Sequence, residues 1–222
     1  MPQLSLSVPD VVEWKPALVL LLSDAFTGSR RLVGNITVRV GVQEPLVPKP
    51  PEATFVFVDL PNGNHSMTIR SREDEPFYLP VDIPVTLPLS TDKWTAYPDR
   101  GLADASEPLD DPGQPAAYRA QRALAALKPS TAYPFPAGTS LARGTVRAGG
   151  KPLAGAVVQR GGDNTQSYQT GDDGSFVLYF KQISGRTETL TLTATAAGRP
   201  NASATLELIR RLTVSVDLDM GL

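Results

Sequence analysis

The sequence lacks cysteine altogether and contains a single histidine, His65, among its 222 residues. The absence of cysteine excludes disulfide bonds, thiolate nucleophiles and thiolate metal ligands. One histidine offers little basis for a Ser-His-acid triad, and a lone histidine at the start of a strand is usually a surface or packing residue. No glycine-rich phosphate-binding loop precedes a helix. We therefore expect neither enzymatic activity nor a cofactor.

A strong charge of one sign and long apolar runs are also lacking. The net charge is −2 at pH 7, so no strongly basic surface is indicated and nucleic acid is not an expected partner. The most apolar run, residues 17–22, is far shorter than the roughly 20 residues that span a bilayer. We expect it to form a buried strand and expect no membrane insertion. Residues 1–5 show no basic run followed by an apolar segment, so a cytoplasmic location is expected.

Proline and glycine, by contrast, are plentiful, with 21 and 18 residues. Many of them lie at the ends of short apolar stretches. Such spacing is typical of β structure with many turns. Residues 36–40 and 187–195 alternate apolar and polar side chains, which is the pattern of a half-buried strand. The sequence therefore predicts an all-β fold.

An internal repeat relates the two halves of the chain. Phe55 and Phe176 are separated by 121 positions (176 − 55), and other residues match at this spacing. Duplication of one unit explains a register without gaps from residue 28 to residue 87, and two units are too few for a solenoid, which needs at least about three. We therefore predict two β-sandwich domains, over residues 1–90 and 139–222. The further matched pairs are Gly28 with Gly149, Leu32 with Leu153, Gly34 with Gly155, Thr68 with Thr189 and Leu87 with Leu208.

Apolar runs and turn residues predict the strands of each domain. Residues 53–60 and 65–70 are predicted to form a hairpin about an Asn-Gly turn at 61–64. A proline-interrupted strand within residues 77–89 is expected at a sheet edge. The remaining strands are predicted at 17–22, 35–41, 141–147, 154–160, 165–170, 175–182, 187–196 and 203–218. The last is expected to be one strand or a strand pair, with a bulge or bend at 209–211.

Residues 91–138 differ in composition and are predicted to form an ordered, proline-rich connector. A short helix is expected near residues 115–127, because Pro115 suits a helix start and Pro129 lies beyond its end. A bare flexible linker would lack the large aromatic residues found here, so we expect the connector to pack against one or both sandwiches. The same residues are the best candidate for a protein-contact surface, with intramolecular packing as the favoured alternative: Trp94, Tyr97, Tyr133 and Phe135.

Three motifs in the second half carry a family resemblance. They read Arg-Gly-Thr-Val at 143–146, Gly-Lys-Pro-Leu-Ala-Gly-Ala-Val-Val at 150–158 and Thr-Gly-Asp-Asp-Gly-Ser-Phe at 170–176. Together they resemble the carboxypeptidase regulatory-like domain, a transthyretin-like (prealbumin-like) β-sandwich. The first half looks like a diverged member, in which Glu52 and Ala53 replace the Asp-Gly pair before the phenylalanine strand. The resemblance implies two transthyretin-like sandwiches joined by the connector.

The resemblance implies a fold more than an activity, because members of this family are mostly accessory modules. Hydrolases of the transthyretin-like fold rely on several histidines, whereas this chain has one. The expected function is a non-enzymatic structural or interaction module, an adaptor that binds a protein partner within a larger bacterial assembly. By analogy, a phage-tail-like contractile particle would suit this plan. The alternative is a carbohydrate- or peptide-binding protein that uses the sandwich-end loops or the interdomain cleft.

A calcium site is the remaining candidate for ligand chemistry. Asp163, Asn164, Asp172 and Asp173 could converge at one end of the second sandwich and offer oxygen ligands. Their spacing matches no EF-hand loop, and acidic and amide residues beside glycine are better explained as turn formers. No metal site is therefore predicted.

Overall fold

The computed structural model describes residues 16–49, 52–72, 74, 76–89, 122–161, 163–183 and 185–221. Over these residues the fold is all-β, and its strands form several sheets. The described residues include no helix whose length and apolar character would allow it to span a membrane. The strands of the first half are β1 (Pro16–Asp24), β2 (Ile36–Val40), β3 (Val47–Lys49), β4 (Thr54–Val58), β5 (Gly63–Ser71), β6 (Val81–Leu87) and β7 (Arg122–Leu127). Those of the second half are β8 (Ser140–Ala148), β9 (Lys151–Pro152), β10 (Val157–Arg160), β11 (Asp163–Gln169), β12 (Ser175–Phe180), β13 (Thr187–Thr195), β14 (Ala202–Ile209), β15 (Thr213–Ser215) and β16 (Leu218–Asp219).

The first half is a β-sandwich. One sheet has the order β3-β4-β1-β7 and the other has the order β2-β5-β6. The alternation of each strand turns one set of side chains inward, so that Leu20 and Phe57 of the first sheet share a core with Val38 and Met67 of the second. The strand at 81–87 lies at a sheet edge, where prolines are tolerated, as the sequence predicts.

The second half repeats this arrangement. Its sheets have the orders β12-β8-β15, with β9 and β16 also paired to β8, and β11-β10-β13-β14. Phe176 and Val146 of the first sheet pack with Val158, Leu192 and Leu208 of the second. The region predicted as one strand or a strand pair over 203–218 is a pair, because β14 ends at Ile209 and β15 begins at Thr213 in the other sheet.

The strand connections of the two halves correspond. In the first half β4 pairs antiparallel with β1, and in the second β12 pairs antiparallel with β8. The series β2-β5-β6 corresponds to β10-β13-β14, again antiparallel throughout. A late strand joins each first strand in parallel, β7 beside β1 and β15 beside β8.

The prediction of a helix near residues 115–127 is wrong over its described part. Arg122–Leu127 is a strand, and its Ala123, Ala125 and Leu127 are buried in the first core. A run of alanine and leucine is apolar at both the helical and the strand period, so its pattern does not separate the two. The backbone edge of β1 supplies the hydrogen-bond partners that override the helical preference of alanine. Residues 115–121 lie outside the described part of the chain.

The predicted hairpin between residues 53–60 and 65–70 is also wrong. Strand β4 lies in the sheet of β1 and β3, whereas β5 lies in the sheet of β2 and β6. A two-residue type I′ turn needs a positive φ at both central residues. Of Asn62 and Gly63 only Gly63 has one, at 136°, so the segment is not a type I′ turn. It carries the chain across to the opposite sheet.

The gapless register of the repeat holds in some strands and fails in others. Val85 and Leu87 are buried, and so are Leu206 and Leu208, 121 positions later. Val38 is buried as well, but the buried residue of β10 is Val158, 120 positions later. The segment that leads from the turn to the buried residue is one residue shorter before β10 than before β2. A shift of one residue in a strand inverts which side chains face inward.

Candidate functional site at the junction of the two halves

A buried carboxylate organises the end of the first sandwich. Asp24, the last residue of β1, is 1% exposed. Its Oδ1 accepts hydrogen bonds from the backbone N–H groups of Phe26, at 2.7 Å, and Thr27, at 3.1 Å. Its Oδ2 accepts hydrogen bonds from the hydroxyls of Tyr78, at 2.9 Å, and Tyr133, at 2.6 Å. Four donors replace the water that the carboxylate loses on burial, which is the condition for burying such a group.

The two tyrosines join distant segments to this carboxylate. The hydroxyl of Tyr78 also accepts a hydrogen bond from the backbone N–H of Val33, at 3.1 Å. Burial, and then the neighbouring Asp24, raise the pKa of the Tyr78 and Tyr133 hydroxyls, while the Val33 N–H opposes the rise at Tyr78. Both tyrosines are therefore protonated donors at neutral pH. The arrangement binds the segments around residues 24, 33, 78 and 133 into one end of the sandwich.

Aromatic rings continue from this carboxylate to the second half. The ring of Phe26 meets the rings of Phe135 and Tyr179 edge to face, with centroids 5.2 and 5.1 Å away. Phe135 also meets Tyr133 at 4.7 Å, and it packs against the cores of both halves. Edge-to-face pairs of this kind stabilise beyond the area they bury. We call these four residues the junction aromatics.

Polar contacts cross the junction beside the rings. The Tyr179 hydroxyl donates to the backbone carbonyl of Ala25 at 3.1 Å. The Arg143 guanidinium donates to the carbonyl of Thr131 at 2.6 Å and lies 5.6 Å from the centroid of the Phe135 ring, within the range of a cation–π contact. The two sandwiches are therefore held together by polar contacts as well as by apolar ones.

A cleft opens beside the junction aromatics. Its volume is about 810 Å³. The first half contributes Phe26 and Thr27, and the remaining residues come from the second half. Three of the lining side chains are cationic and none is acidic. The second-half residues are Gly138, Thr139, Ser140, Phe180, Lys181, Gln182, Ile183, Arg210 and Arg211.

The aromatic residues chosen from the sequence fall into two pairs. Trp94 and Tyr97 lie outside the described residues. Tyr133 is buried at 4% exposure and Phe135 is partly buried, so both are engaged in packing within the chain. A protein-contact role for the four stays a prediction.

Sequence reasoning missed Asp24, Phe26 and Tyr179. One signal was available for Asp24, which continues the alternation of buried Leu18, Leu20 and Leu22. An acid on the buried face of a strand requires donors, but nothing in the sequence identifies them.

The remaining candidates have local partners. His65 Nε2 lies 2.8 Å from the carbonyl oxygen of Pro61, at the surface. Asp173 Oδ1 accepts from the backbone N–H and the hydroxyl of Ser175, at 2.9 and 2.6 Å, as a turn-forming residue does. The side chains of Asp163 and Asn164 are not among those that the structure describes. Over the described side chains there is no group of three or more histidine, cysteine or acidic residues that could hold a metal ion.

Comparison with known proteins finds solved structures that match the chain only at low sequence identity. No protein-family model and no curated protein matches it. The Bacillus anthracis TIE protein is 14% identical, with a TM-score of 0.30, covering 84% of this chain and 34% of that one. A Streptococcal ancillary pilin is 13% identical, with a TM-score of 0.28, covering 92% and 62%. The shaft pilin SpaA from Lactobacillus rhamnosus GG is 10% identical, with a TM-score of 0.29, covering 93% and 97%. This chain thus spans less than two thirds of the first two proteins, and TM-scores this low carry no argument about function.

Proposed function

We propose that the chain is a non-enzymatic structural and interaction module, an adaptor whose two sandwiches are held in one orientation within a larger bacterial assembly. The observation that carries this proposal is the junction itself. Phe135 packs against both cores, the Tyr179 hydroxyl donates to the backbone of Ala25 in the first half, and Arg143 donates to the backbone of Thr131, between β7 and β8. Relative motion is the default between domains unless their interface is large and apolar. A junction built from a buried carboxylate and edge-to-face rings favours a role in which the relative position of the two sandwiches is fixed.

The finer proposals concern ancestry and setting. We propose that both sandwiches descend from one transthyretin-like ancestor of the carboxypeptidase regulatory-like type. The corresponding strand connections and the buried pair Phe55 and Phe176 support this. The setting in a phage-tail-like contractile particle in the cytoplasm rests on analogy, and it is the narrowest form of the proposal.

The test is whether the chain associates with a large assembly in its own cells. A tagged full-length chain is expressed from its native locus, and the cleared lysate is sedimented through a density gradient at low and moderate salt. The expected result is that a stable fraction migrates with a large assembly and that chemical cross-linking joins the chain to the same neighbours in repeated preparations. A chain found solely at the position of a free monomer, under both salt conditions and after cross-linking, contradicts the adaptor role.

The cleft favours a second candidate function, the binding of a peptide or carbohydrate. It lies between the two halves, where ligand sites commonly form, and it combines aromatic and cationic side chains. Specific thermal stabilisation of the purified chain by a ligand supports this candidate, and the absence of any such ligand in a broad screen counts against it.

A further inference from the structure

The cleft concentrates positive charge in a chain whose net charge is −2. Lys181 follows the end of β12, and Arg210 and Arg211 form the turn between β14 and β15. All three side chains are exposed. Within the described part of the chain, neither an ion pair nor an acidic lining residue neutralises them. Like charges gathered in a cleft raise the local potential and attract a ligand of opposite sign.

Arg211 is held in place in a way that a freely solvated arginine is not. Its φ is +65°, in the left-handed region that residues with a Cβ seldom adopt. Its backbone N–H donates to Ser140 Oγ at 2.8 Å. Its aliphatic stem lies over Gly138, where an added Cβ would sit 3.7 Å from Arg211 Cγ. Strained residues of this kind concentrate at functional sites, and here the strained residue presents a charge to the cleft.

Apolar side chains line the cleft together with the cations. Phe26, Phe180 and Ile183 line the same cleft. The cations come from two separate segments, and the cleft they share, at about 810 Å³, is much larger than one small anion. A chain that carries several carboxylates on alternate residues, with small or apolar side chains between them, matches both features.

We propose that this cationic cleft binds an acidic, extended peptide segment of a protein partner. The proposal rests on the interaction role given above and names the chemistry of the partner. Carboxylates of the segment pair with Lys181, Arg210 and Arg211, and its intervening side chains lie against Phe26 and Ile183.

The test uses the intact chain and a synthetic probe, a fluorescein-labelled decapeptide in which glutamate alternates with threonine. Fluorescence anisotropy is expected to show saturable binding that weakens as salt is raised from about 0.05 to 0.3 M, because the ion pairs are exposed to screening. The matching peptide with glutamine for glutamate is expected not to bind. The double variant Arg210→Ser, Arg211→Ser is expected to bind the acidic peptide about tenfold more weakly or worse, and Lys181→Ser about threefold more weakly.

Matched variants separate charge from folding. Arg199→Ser removes an exposed arginine outside the cleft and is expected to leave binding unchanged. Arg211→Gly suits the left-handed backbone, so it keeps the fold while losing the charge, and Arg211→Lys is expected to retain most of the binding. Thermal unfolding of each variant confirms that it is folded.

The absence of saturable binding of the acidic peptide by the folded wild-type chain overturns the proposal, and so do three further results. They are equal weakening by Arg199→Ser and by the double variant, equal binding of the glutamine peptide, and binding of heparin without binding of the acidic peptide. If folded wild-type chain does not bind the peptide but still sediments with a large assembly, the adaptor role stands and its partner uses another surface.

Discussion

Phe55 and Phe176 occupy corresponding places in two separate cores. Phe55 lies opposite Leu20 in the pairing of β4 with β1, and Phe176 lies opposite Gly144 in the pairing of β12 with β8. Both rings are buried, at 4% and 1% exposure. The two environments differ at the facing residue, which is a leucine in the first sandwich and a glycine in the second.

Gly144 is the position where one added methyl group should do most damage. A Cβ there would lie 1.6 Å from the carbonyl oxygen of Val216 and 3.2 Å from the Phe176 ring. The first neighbour is backbone, so relief requires the main chain to move. We expect Gly144→Ala to lower the free energy of unfolding by at least about 3 kcal/mol in urea titrations. Gly171→Ala is the control, because its Cβ would meet only the side chain of Asp173, at 3.4 Å; equal losses for the two variants would contradict this account.

The two core phenylalanines should each support their own sandwich. Replacing Phe55 or Phe176 by alanine leaves a cavity, and we expect each change to cost about 3–5 kcal/mol. The cores are separate, so the two costs should add within about 0.5 kcal/mol. Calorimetry of both single variants and the double variant measures this. A loss below about 1 kcal/mol for either change would mean that its ring contributes little to the core.

Asp24 should be far more sensitive to neutralisation than an exposed acid. Asp24→Asn replaces one acceptor oxygen by a donor nitrogen that faces the Tyr78 and Tyr133 hydroxyls or the backbone N–H groups. Since hydrogen bonds to a charged group are worth about 1.5–3 kcal/mol, we expect a loss in that range or above in urea unfolding. The control is Asp82→Asn, whose carboxylate pairs with Arg70 at the surface and should cost less than about 1 kcal/mol. Similar losses at the two sites would show that the buried cluster is not a special contributor.

The strands that follow simple alternation could be predicted from the sequence, and those that depend on a neighbour could not. The alternation of apolar and polar residues at 187–195 predicts a strand with one solvent-exposed face, and the structure has β13 there. The alanine-rich run at 122–127 carries no such signal, since only the parallel edge of β1 makes it a strand. The wrong prediction of a hairpin between residues 53–60 and 65–70 has the same origin, because the pairing of β5 with β2 depends on how the sheets pack.

The contacts at the junction could not be predicted from the sequence. Its hydrogen bonds join Asp24 to Tyr78 and to Tyr133, across 54 and 109 positions, and neither periodicity nor spacing encodes contacts that long. The sequence did indicate that Tyr133 and Phe135 would pack against the sandwiches, because a flexible linker has no use for such rings. It gave no indication that Phe26 and Tyr179 would meet them.

Stability should fall at alkaline pH because three tyrosines are buried. Burial raises the pKa of Tyr168 to about 12, and it raises the pKa of Tyr78 and Tyr133 further. In the unfolded chain these hydroxyls titrate near their usual pKa of about 10, so above that pH the unfolded state releases protons that the folded state retains. The stability they contribute is fully present below about pH 10 and declines above it, by up to about 1.4 kcal/mol per pH unit for each tyrosine.

Urea titrations between about pH 8 and pH 11 measure this slope. Tyr168→Phe should flatten it by about one tyrosine's share without disturbing Asp24. A slope that is identical in the variant and the wild type would mean that Tyr168 ionises alike in the folded and unfolded chains.

Rigidity between the halves should depend on Phe135. The chain has no native cysteine, so spin labels can be placed at Val42→Cys and Asn201→Cys, two exposed positions in different sandwiches. Phe135 touches both cores, whereas Phe77 packs against the first core only. We therefore expect Phe135→Ala to broaden the distance distribution measured by double electron–electron resonance, because it empties the contact that both halves share. Phe77→Ala removes a similar ring from one half and should lower stability without the same broadening.

If both variants keep the wild-type width, the polar contacts of Arg143 and Tyr179 suffice to fix the halves. If the wild type is already as broad as Phe135→Ala, the junction does not hold one orientation, and the adaptor proposal loses the observation that carries it.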